Sequence, residues 1–557
     1  MIEIRIKNGN HEKIVQEESG IRLWQLAEKY FQDPEGYMAI FSKVDNEGRD
    51  LLGSVKKPCT VEFLTLKERM ARLTYQRSLV FLFMLVFRQL MPDVRAKVEY
   101  PLNDGLFINL GIKSDDGLTE SIKSRMQELV NENILFRRRI VDRESILDGS
   151  AGEEYGHDVV SPEMVKLVRS TEIREVFIYS YGEFSMAFYD PLVQSAGVLT
   201  TFDVITYREN IILRMPQAEH TKELPEYRDD FMLYNAYRDM IQWQHMNSIR
   251  SMNDLNVKTS SQEWRDLVFL NEAMHEKRII EIANRITKEN KRIVLIAGPS
   301  SSGKTSFAQR LCIQLRVNGR RPLYMGTDDY FLERNQMVRD ENGRIDFENL
   351  SAVDVELFNK QMNQLLAGET VDMPVFDFVT GSKRYGERIT HAEPDQPIVI
   401  EGIHALNDEL TCHIEDSEKF RIYISPLTAL NIDDANRIPV TDLRLLRRMA
   451  RDRRSRNRSV QETIAGWPEV RAGEIKNIFP YNGHADVLFN SALMYELAVI
   501  KPVVMEGLKE VKSWEPEYIE AQRLIRMLRC VNALTDDQFI SNVSIVREFT
   551  GGSVWVK

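Results

Sequence analysis

The chain has 557 residues, 43% of them hydrophobic and 28% charged, which is typical of a soluble globular protein with three or four domains. A net charge of −11 excludes a chain that binds polyanions along its whole length. The four cysteines, at positions 59, 312, 412 and 530, are far apart, which argues against a disulfide scaffold or zinc ribbon and favours a reducing cytoplasm.

No membrane or secretion segment is predicted. The N-terminus lacks the apolar core of a signal peptide. The longest apolar run, residues 79–87, is too short to cross a membrane and predicts a buried helix instead. We therefore expect a cytoplasmic protein.

Residues 1–65 are predicted to form a small α/β domain. The opening residues MIEIRI alternate as a half-buried strand does, residues 21–30 have helical spacing, and residues 37–44 and 60–64 predict further strands. This pattern resembles a TGS domain, the β-grasp module of threonyl-tRNA synthetases and some GTPases. The alternative is an unrelated ubiquitin-like fold.

Residues 66–225 contain the segment YQRSLVFLFMLVFRQLMPDVRAKVEYPLNDGLFIN at 75–109. It resembles the α+β editing domain of threonyl-tRNA synthetase, where a helix with H-x-x-x-H precedes a P-[ILV]-x-[DN]-G-F segment. The paired histidine positions correspond to Arg77 and Phe81, and residues 184–191 lack the family's cysteine and histidine. Arginine and phenylalanine cannot act as neutral nitrogen ligands. The resemblance therefore implies an editing fold without editing chemistry.

Two further regions carry less information. Residues 226–290 are polar and helical in pattern, with a flexible joint expected at KTSSQ, residues 258–262. Residues 501–557 predict a helical C-terminal extension with an amphipathic stretch at 519–534, and its function is not readable.

The segment RIVLIAGPSSSGKTS, residues 292–306, is the strongest motif of the chain. An apolar strand is followed by a complete G-x-x-x-x-G-K-[ST] loop and a helix, the context of a P-loop that binds nucleotide phosphates. Lys304 would meet the β- and γ-phosphates, Thr305 would hold Mg²⁺, and the helix at 306–317 would point its positive end at the anion. The alternative is a glycine-rich turn that binds nothing. The candidate phosphate-binding residues are Gly298, Ser300, Ser301, Ser302, Gly303, Lys304, Thr305 and Ser306.

Strands and helices alternate from 291 to 500, which predicts a parallel sheet covered by helices on both faces. Ligands of such sheets bind beyond the carboxyl ends of the strands. LYMGTDDYF, residues 323–331, is predicted to be a strand ending in Asp328 and Asp329, of which one could accept a proton from a substrate hydroxyl or help to hold Mg²⁺. IVIEGIHA, residues 398–405, places Glu401 at another strand end as a magnesium ligand. In both cases the alternative is a carboxylate of an ordinary turn.

RLLRRMARDRRSRNR, residues 444–458, holds eight arginines and one acid in an otherwise acidic chain. Arginine binds phosphate oxygens in pairs, so we interpret the cluster as a lid that closes over the triphosphate. A nucleic-acid patch and a solvated basic helix remain alternatives.

With MPVFDFVTGSKR (373–384) and VIEGIHAL (399–406), these segments resemble, in order and spacing, the uridine kinase branch of P-loop kinases. The resemblance implies transfer of the ATP γ-phosphoryl group to a nucleoside 5′-hydroxyl. It implies that Lys304 and Thr305 bind phosphate and metal, that Asp328 is the base or a metal-linked carboxylate, and that Glu401 helps to hold Mg²⁺. The implied lid residues are Arg451, Arg456 and Arg458, and the implied nucleoside-pocket residues are Phe331, Glu348, Phe376, Phe378 and Arg448.

The sequence departs from that family at its polar substrate contacts. Glu348 stands for an aspartate, Gly381 for a base-contacting histidine, Gly466 for a glutamine and Phe376 for a tyrosine. Fewer polar contacts weaken discrimination between acceptors. We expect the acceptor to be a nucleoside or a similar hydroxylated small molecule, and a kinase of another sugar or of a vitamin is one alternative. An RNA- or translation-associated NTPase switch is another alternative. The chain has no N-K-x-D guanine-specificity segment, which argues against a GTPase. Whether the protein forms a homo-oligomer is left open.

Overall fold

The computed structural model of the chain describes residues 1–9, 11–337, 349–377 and 379–556. These residues form three sheets of three to five strands, followed by a five-stranded parallel sheet, and three two-stranded pairs that include the hairpin of residues 375–377 and 382–384. Glu348 and Phe378 lie outside the described residues.

The N-terminal sheet has the strand order β2-β1-β7-β4-β5, with β1 and β7 parallel and the other neighbours antiparallel. Ile4 and Ile6 are buried and the intervening Arg5 is exposed, as the alternation of MIEIRI predicts. Membership of the TGS family stays a prediction. The elements are β1 (Ile2–Asn8), β2 (His11–Glu17), β3 (Ile21–Arg22), α1 (Leu23–Tyr30), β4 (Phe41–Val44), β5 (Glu47–Arg49), β6 (Ser54–Val55) and β7 (Cys59–Leu64).

Two antiparallel sheets follow, with the orders β13-β14-β9-β8 and β10-β11-β12. They pack with helices, of which α2 is the longest. The elements are α2 (Arg69–Leu90), β8 (Lys97–Leu102), β9 (Gly105–Asn109), α3 (Asp116–Asn131), β10 (Arg137–Asp142), α4 (Arg143–Leu147), α5 (Ser150–Tyr155), α6 (Pro162–Ser170), β11 (Glu175–Tyr181), β12 (Phe184–Phe188), β13 (Asp203–Tyr207) and β14 (Asn210–Arg214).

Helix α2 confirms the buried helix predicted at residues 79–87, all of which are buried. Its 22 residues are long and apolar enough to span a bilayer by length and composition alone. However, 83% of the apolar window is buried inside the protein. Burial on nearly all sides explains why its apolar residues show no single face.

The two positions that correspond to editing histidines lie on α2 and are enclosed. The ring of Phe81 lies 4.9 Å from that of Phe136 and 5.6 Å from that of Phe184, measured between centroids. Arg77 donates to the carbonyl oxygen of Pro191 at 3.2 Å and pairs with Asp190 at 3.7 Å. Aromatic packing and an ion pair therefore occupy these positions.

Three helices connect the first half of the chain to the parallel sheet. They are α7 (Phe231–Met246), α8 (Met252–Thr259) and α9 (Trp264–Lys288). The predicted joint at 258–262 begins inside α8, where Thr259 is buried. Nearby, Asn256 donates to the carbonyl oxygen of Cys530 at 2.8 Å, which ties α8 to the C-terminal region.

The parallel sheet has the order β16-β21-β15-β22-β23 and confirms the predicted parallel sheet. Alternate residues of the central strand β15 enter two different apolar cores, with Val294 and Ile296 on one face and Ile293 and Leu295 on the other. The elements are β15 (Ile293–Ala297), α10 (Lys304–Val317), β16 (Leu323–Gly326), α11 (Val355–Leu366), β17 (Thr370–Asp372), β18 (Val375–Asp377), β19 (Ser382–Arg384), β20 (Ile389–His391), β21 (Ile398–Glu401), β22 (Lys419–Ser425), α12 (Val440–Ser455), α13 (Val460–Ala465), α14 (Trp467–Asn477), β23 (Val487–Asn490), α15 (Glu496–Glu510), α16 (Tyr518–Leu528) and α17 (Arg547–Thr550).

The first half of the chain packs directly on the parallel-sheet region. The side-chain amide of Asn431 donates to the carbonyl oxygens of Val98 and Glu99 at 2.8 and 2.9 Å. Arg69 of α2 pairs with the buried Asp442 of α12 and with Glu520 of α16. One apolar core contains Tyr100, Ile279, Ile296 and Phe549, so side chains from both halves are buried together.

Candidate active site at the carboxyl edge of the parallel sheet

The P-loop connects β15 to α10, as predicted, although the helix begins at Lys304 and not at Ser306. Gly303 precedes the helix with φ of +88°, a left-handed conformation that favours glycine. A Cβ atom on Gly298 would lie 2.1 Å from the carbonyl oxygen of Ile424, so only glycine fits there. The Nζ atom of Lys304 donates to the carbonyl oxygen of Gly298 at 2.9 Å. This places the ammonium group over the loop.

A hydroxyl and a carboxylate meet next to the P-loop. The Thr305 Oγ1 hydroxyl donates to Oε1 of Glu401 at 2.9 Å, and the Tyr324 hydroxyl donates to Oε2 at 2.6 Å. Glu401 is the last residue of β21 and pairs in register with Ile296 and Gly326. Burial raises the pKa of Glu401, and the charge of Lys304 opposes that rise. Because Mg²⁺ prefers hard oxygen ligands, the Thr305 hydroxyl and the Glu401 carboxylate fit a magnesium site.

The two adjacent carboxylates after β16 have different surroundings. The predicted strand ends at Gly326, and Thr327–Tyr330 form a 3₁₀ turn. Asp329 accepts from Nη1 of Arg388 at 2.6 Å and from the backbone N–H of Phe376 at 3.4 Å. Asp328 is exposed at the surface, but the surrounding protein partly desolvates it and raises its pKa. The charges of Lys304 and Arg456 lower that pKa, and the charge of Asp329 raises it. Asp328 is therefore close enough to interact electrostatically with both the P-loop and the arginine cluster.

Two of the predicted pocket residues lie together. The rings of Phe331 and Phe376 meet edge to face, with centroids 5.6 Å apart, and both residues are buried. Gly381 has φ of +71°, and a Cβ there would lie 2.7 Å from Nε of Arg334. Arg334 therefore takes the space that a side chain at position 381 would need.

Two arginines of the predicted lid are buried beneath the P-loop. Arg444 is ion-paired with Glu474, and its Nε donates to the carbonyl oxygen of Ser300 at 3.1 Å. Arg447 is ion-paired with Glu496 and donates to the carbonyl oxygens of Ser301 and Ser302 at 3.3 and 3.2 Å. Both arginines are less than 3% exposed, so neither the lid nor the solvated-helix interpretation applies to them. They hold the P-loop in place through its backbone carbonyl groups.

Four of the other six arginines lie close to the single acid of the cluster, Asp452, which is fully buried. Arg451 donates to Oδ1 of Asp452 at 3.0 Å, and Nε of Arg456 lies 3.6 Å from the same atom. Arg448 lies 3.3 Å from Oδ2 of Asp452 and donates to the Ser300 hydroxyl at 2.7 Å, which places it beside the P-loop. The backbone N–H of Arg458 donates to the carbonyl oxygen of Asp452 at 3.1 Å. Their roles in binding phosphate or acceptor stay predictions.

Comparison with known proteins supports the kinase resemblance. The profile of the Phosphoribulokinase / Uridine kinase family matches residues 293–497. A uridine kinase of Lactobacillus johnsonii is 31% identical over 197 residues, which are 35% of this chain and 84% of that protein. A uridine kinase of Chloroflexus aggregans is 33% identical over 203 residues, which are 36% of this chain and 87% of that protein.

The chain belongs to the phosphoribulokinase/uridine kinase family. Its kinase-family domain is residues 293–497.

Two solved structures also align with the chain. A possible uridine kinase from Bacillus stearothermophilus aligns with 38% of this chain and 98% of its own at 20% identity, with a TM-score of 0.25. D-glycerate 3-kinase from Cryptococcus neoformans var. grubii aligns with 48% of this chain and 89% of its own at 12% identity, with a TM-score of 0.22.

Asp452 was noted only as the single acid of the arginine motif, and its burial among the arginines was not predicted. Two further acidic residues next to the P-loop were missed by sequence reasoning. Glu474 accepts from the backbone N–H of Ser300 at 2.9 Å, and Glu548 accepts from the Ser306 hydroxyl at 2.8 Å. These two glutamates are 174 and 242 residues away from their partners, and no local pattern marks them.

Proposed function

We propose that the protein is an ATP-dependent kinase that transfers the γ-phosphoryl group to a hydroxyl of a nucleoside or a similar small molecule, such as the 5′-hydroxyl of uridine or cytidine. The observation that carries the proposal is the contact of Thr305 with Glu401 beside Lys304, with Asp328 on the next strand end. Phosphoryl transfer requires a phosphate-binding loop, an acid that helps to hold the metal, and a carboxylate that can reach the attacking hydroxyl.

Each group has a separate task in this proposal. Lys304 and the backbone N–H groups of the loop hold the phosphates and stabilise the charge on the transferred group. Thr305 and Glu401 would hold Mg²⁺, which supplies neutralisation of phosphate charge when bound. Asp328 accepts the proton of the attacking hydroxyl, and its raised pKa makes it a better base than an ordinary aspartate.

The acceptor class rests on the aromatic wall and on the relatives. Phe331 and Phe376 are buried and would form the apolar base of a pocket for a flat ring, next to the turn that carries Asp328. Relatives at 31% and 33% identity are uridine kinases, which supports a nucleoside as the acceptor. Arg334 fills the space beside Gly381, the position that corresponds to the family's base-contacting histidine. We therefore expect a preference among bases that differs from that of the related uridine kinases.

The test is a screen of nucleosides and sugars for acceptor-dependent ADP formation by the full chain with Mg²⁺ and ATP. Lys304→Ala should lower the rate by at least about 100-fold, because the loop loses the charge that meets the transferred phosphate. The matched control is Lys288→Ala, an exposed lysine at the end of α9, which should behave as wild type. ATP hydrolysis that depends on RNA and on no small acceptor would contradict the proposal and favour the NTPase switch.

A further inference from the structure

The last part of the chain folds back onto the P-loop. Ile545, Val546 and Phe549 are completely buried and belong to the core that also contains the sheet residue Ile296. A Cβ atom on Gly303 would lie 2.5 Å from Cγ2 of Ile545, so Ile545 packs directly on the backbone of the loop. The C-terminal segment is therefore part of the wall of the phosphate site.

A carboxylate from this segment lies at the start of the P-loop helix. Oε2 of Glu548 accepts from the Ser306 hydroxyl at 2.8 Å and from the Ser306 backbone N–H at 3.3 Å. Ser306 is the third residue of α10, so its N–H is one of those that have no partner inside the helix. Such groups, with the positive end of the helix dipole, attract an anion. Glu548 supplies that anion from within the chain, and only 7% of the residue is exposed.

The same segment is attached to the arginine helix α12. Arg454 donates to the carbonyl oxygen of Glu548 at 3.0 Å, and the guanidinium of Arg447 lies 4.8 Å from the ring centre of Phe549. Glu548 therefore lies between the helix that starts the P-loop site and the helix that carries the predicted lid. Its position is held from two sides.

We propose that residues 544–550, here named the C-terminal plug, inhibit the kinase. They hold the Glu548 carboxylate on the Ser306 N–H and hydroxyl groups, which would otherwise donate to a phosphate of the nucleotide. The proposal rests on the proposed function, which assigns the N–H groups at the start of α10 to ATP. A phosphate and a carboxylate cannot share the Ser306 donors, because like charges at contact distance repel. Nucleotide binding requires the Glu548 side chain to leave Ser306, while Ile545, Val546 and Phe549 stay in the core.

The first experiment compares ADP binding to wild type and to Glu548→Gln by calorimetry in the presence of Mg²⁺. Glutamine keeps the size of the side chain and an acceptor oxygen but removes the charge. We expect ADP to bind about tenfold more tightly to the variant, the effect typical of a charge at a helix N-terminus. Asp536→Asn is the matched control, because Asp536 is an exposed acid of the same tail that contacts Gln538 and not the P-loop. It should leave the affinity unchanged.

The outcomes separate the plug from the proposed function. Wild type that binds ADP with the same or higher affinity than Glu548→Gln overturns the plug and leaves the kinase proposal standing. ADP binding by neither protein contradicts the proposed function itself, and the plug with it. ADP that binds more tightly to Glu548→Gln than to wild type, with no change in the Asp536→Asn control, supports both the plug and the proposed function.

A second measurement uses the unaltered protein, so it does not depend on the folding of a variant. Carbodiimide labels exposed carboxylates, and mass spectrometry compares the labelling of Glu548 and Asp536 with and without saturating ADP and Mg²⁺. We expect labelling of Glu548 to rise several-fold on nucleotide binding while that of Asp536 stays constant. Unchanged or lower labelling of Glu548 at saturation would overturn the plug.

Discussion

Asp329 is bound to Arg388, with its Oδ2 atom 2.6 Å from Nη1, and its other oxygen accepts from the backbone N–H of Phe376. Asp329 therefore holds the β18–β19 hairpin, which carries Phe376, against the 3₁₀ turn at Thr327–Tyr330. The neighbouring Asp328 is exposed, and the charge of Lys304 opposes the rise that burial causes in its pKa. Under the proposed function, Asp329 would position the acceptor pocket and Asp328 would act on the acceptor.

The two aspartates should differ sharply when each is changed to asparagine. We expect Asp328→Asn to lower the phosphorylation rate by about 100-fold or more, the usual contribution of a positioned base. Asp329→Asn should mainly raise KM for the acceptor, because it loosens the Phe376 hairpin. Steady-state kinetics with the best acceptor, beside calorimetric ATP binding, measure both effects. Equal and mild losses in the two variants would show that neither aspartate is the base.

The raised pKa of Asp328 predicts a gain in stability when its charge is removed. Folding favours the protonated carboxyl, so stability falls as pH rises from the pKa of the unfolded aspartate to the raised folded pKa, and the loss is constant above that. Below the pKa of an unfolded aspartate, about 3.9, the carboxyl is protonated in both states and the cost disappears. Asp328→Asn should therefore raise Tm at pH 7 to 8, and the gain should shrink as pH falls toward 4.

Thermal melting across this pH range measures the effect. Asp536→Asn is the control, since its side chain is exposed in the C-terminal tail. A Tm of Asp328→Asn below that of wild type at pH 7 would mean that the Asp328 carboxylate forms a favourable contact in the folded protein. It would then be a structural residue of the turn.

The support of the P-loop by Glu474 predicts a joint effect on stability and ATP binding. Glu474 is fully buried, pairs with Arg444 and Arg471, and accepts from the Ser300 N–H. Glu474→Gln leaves two arginines without their balancing charge, and breaking such a buried pair costs about 3–5 kcal/mol. We expect the free energy of unfolding to fall by that order and ATP affinity to weaken about tenfold, because the loop loses a charged partner.

Chemical denaturation and calorimetry test this prediction. Glu510→Gln is the matched control, because its side chain is 69% exposed and contacts only Arg453 among the described ion pairs. Reduced stability with normal ATP affinity would show that Glu474 holds the helices but does not shape the P-loop.

The enclosed positions on α2 predict that the N-terminal half does not hydrolyse mischarged threonyl-tRNA. Phe81 is surrounded by Phe136, Phe184 and Phe188, and Arg77 is paired with Asp190. Phe81→His should not restore hydrolysis, because the aromatic neighbours leave no room for a substrate or water. Deacylation of serine from its mischarged tRNA by the full chain, measured against spontaneous hydrolysis, should show no difference. Any rate clearly above the spontaneous one would overturn this prediction.

Local motifs made much of the kinase-family domain predictable. The strand, loop and helix of the P-loop follow one another in the chain, so β15 ends at Ala297 as expected, and α10 begins only two residues before the predicted helix. Glu401 follows an apolar run and does end a strand next to β15. Parallel strands bring their carboxyl ends to one edge of the sheet. The P-loop, the Asp328 turn and the Glu401 strand end could therefore be assigned to one site from the sequence alone.

Roles that depend on distant partners were not predictable. Asp328 and Asp329 are chemically identical neighbours, and only the folded position of Arg388, 59 residues later, tells them apart. Arg444 and Arg447 share a motif with solvent-facing arginines, yet they are buried because Glu474 and Glu496 meet them from other helices. Local hydrogen bonds and side-chain periodicity are encoded in adjacent residues, whereas such ion pairs depend on which surfaces the whole chain brings together. Glu548 on Ser306, across 242 residues, belongs to this second kind of contact.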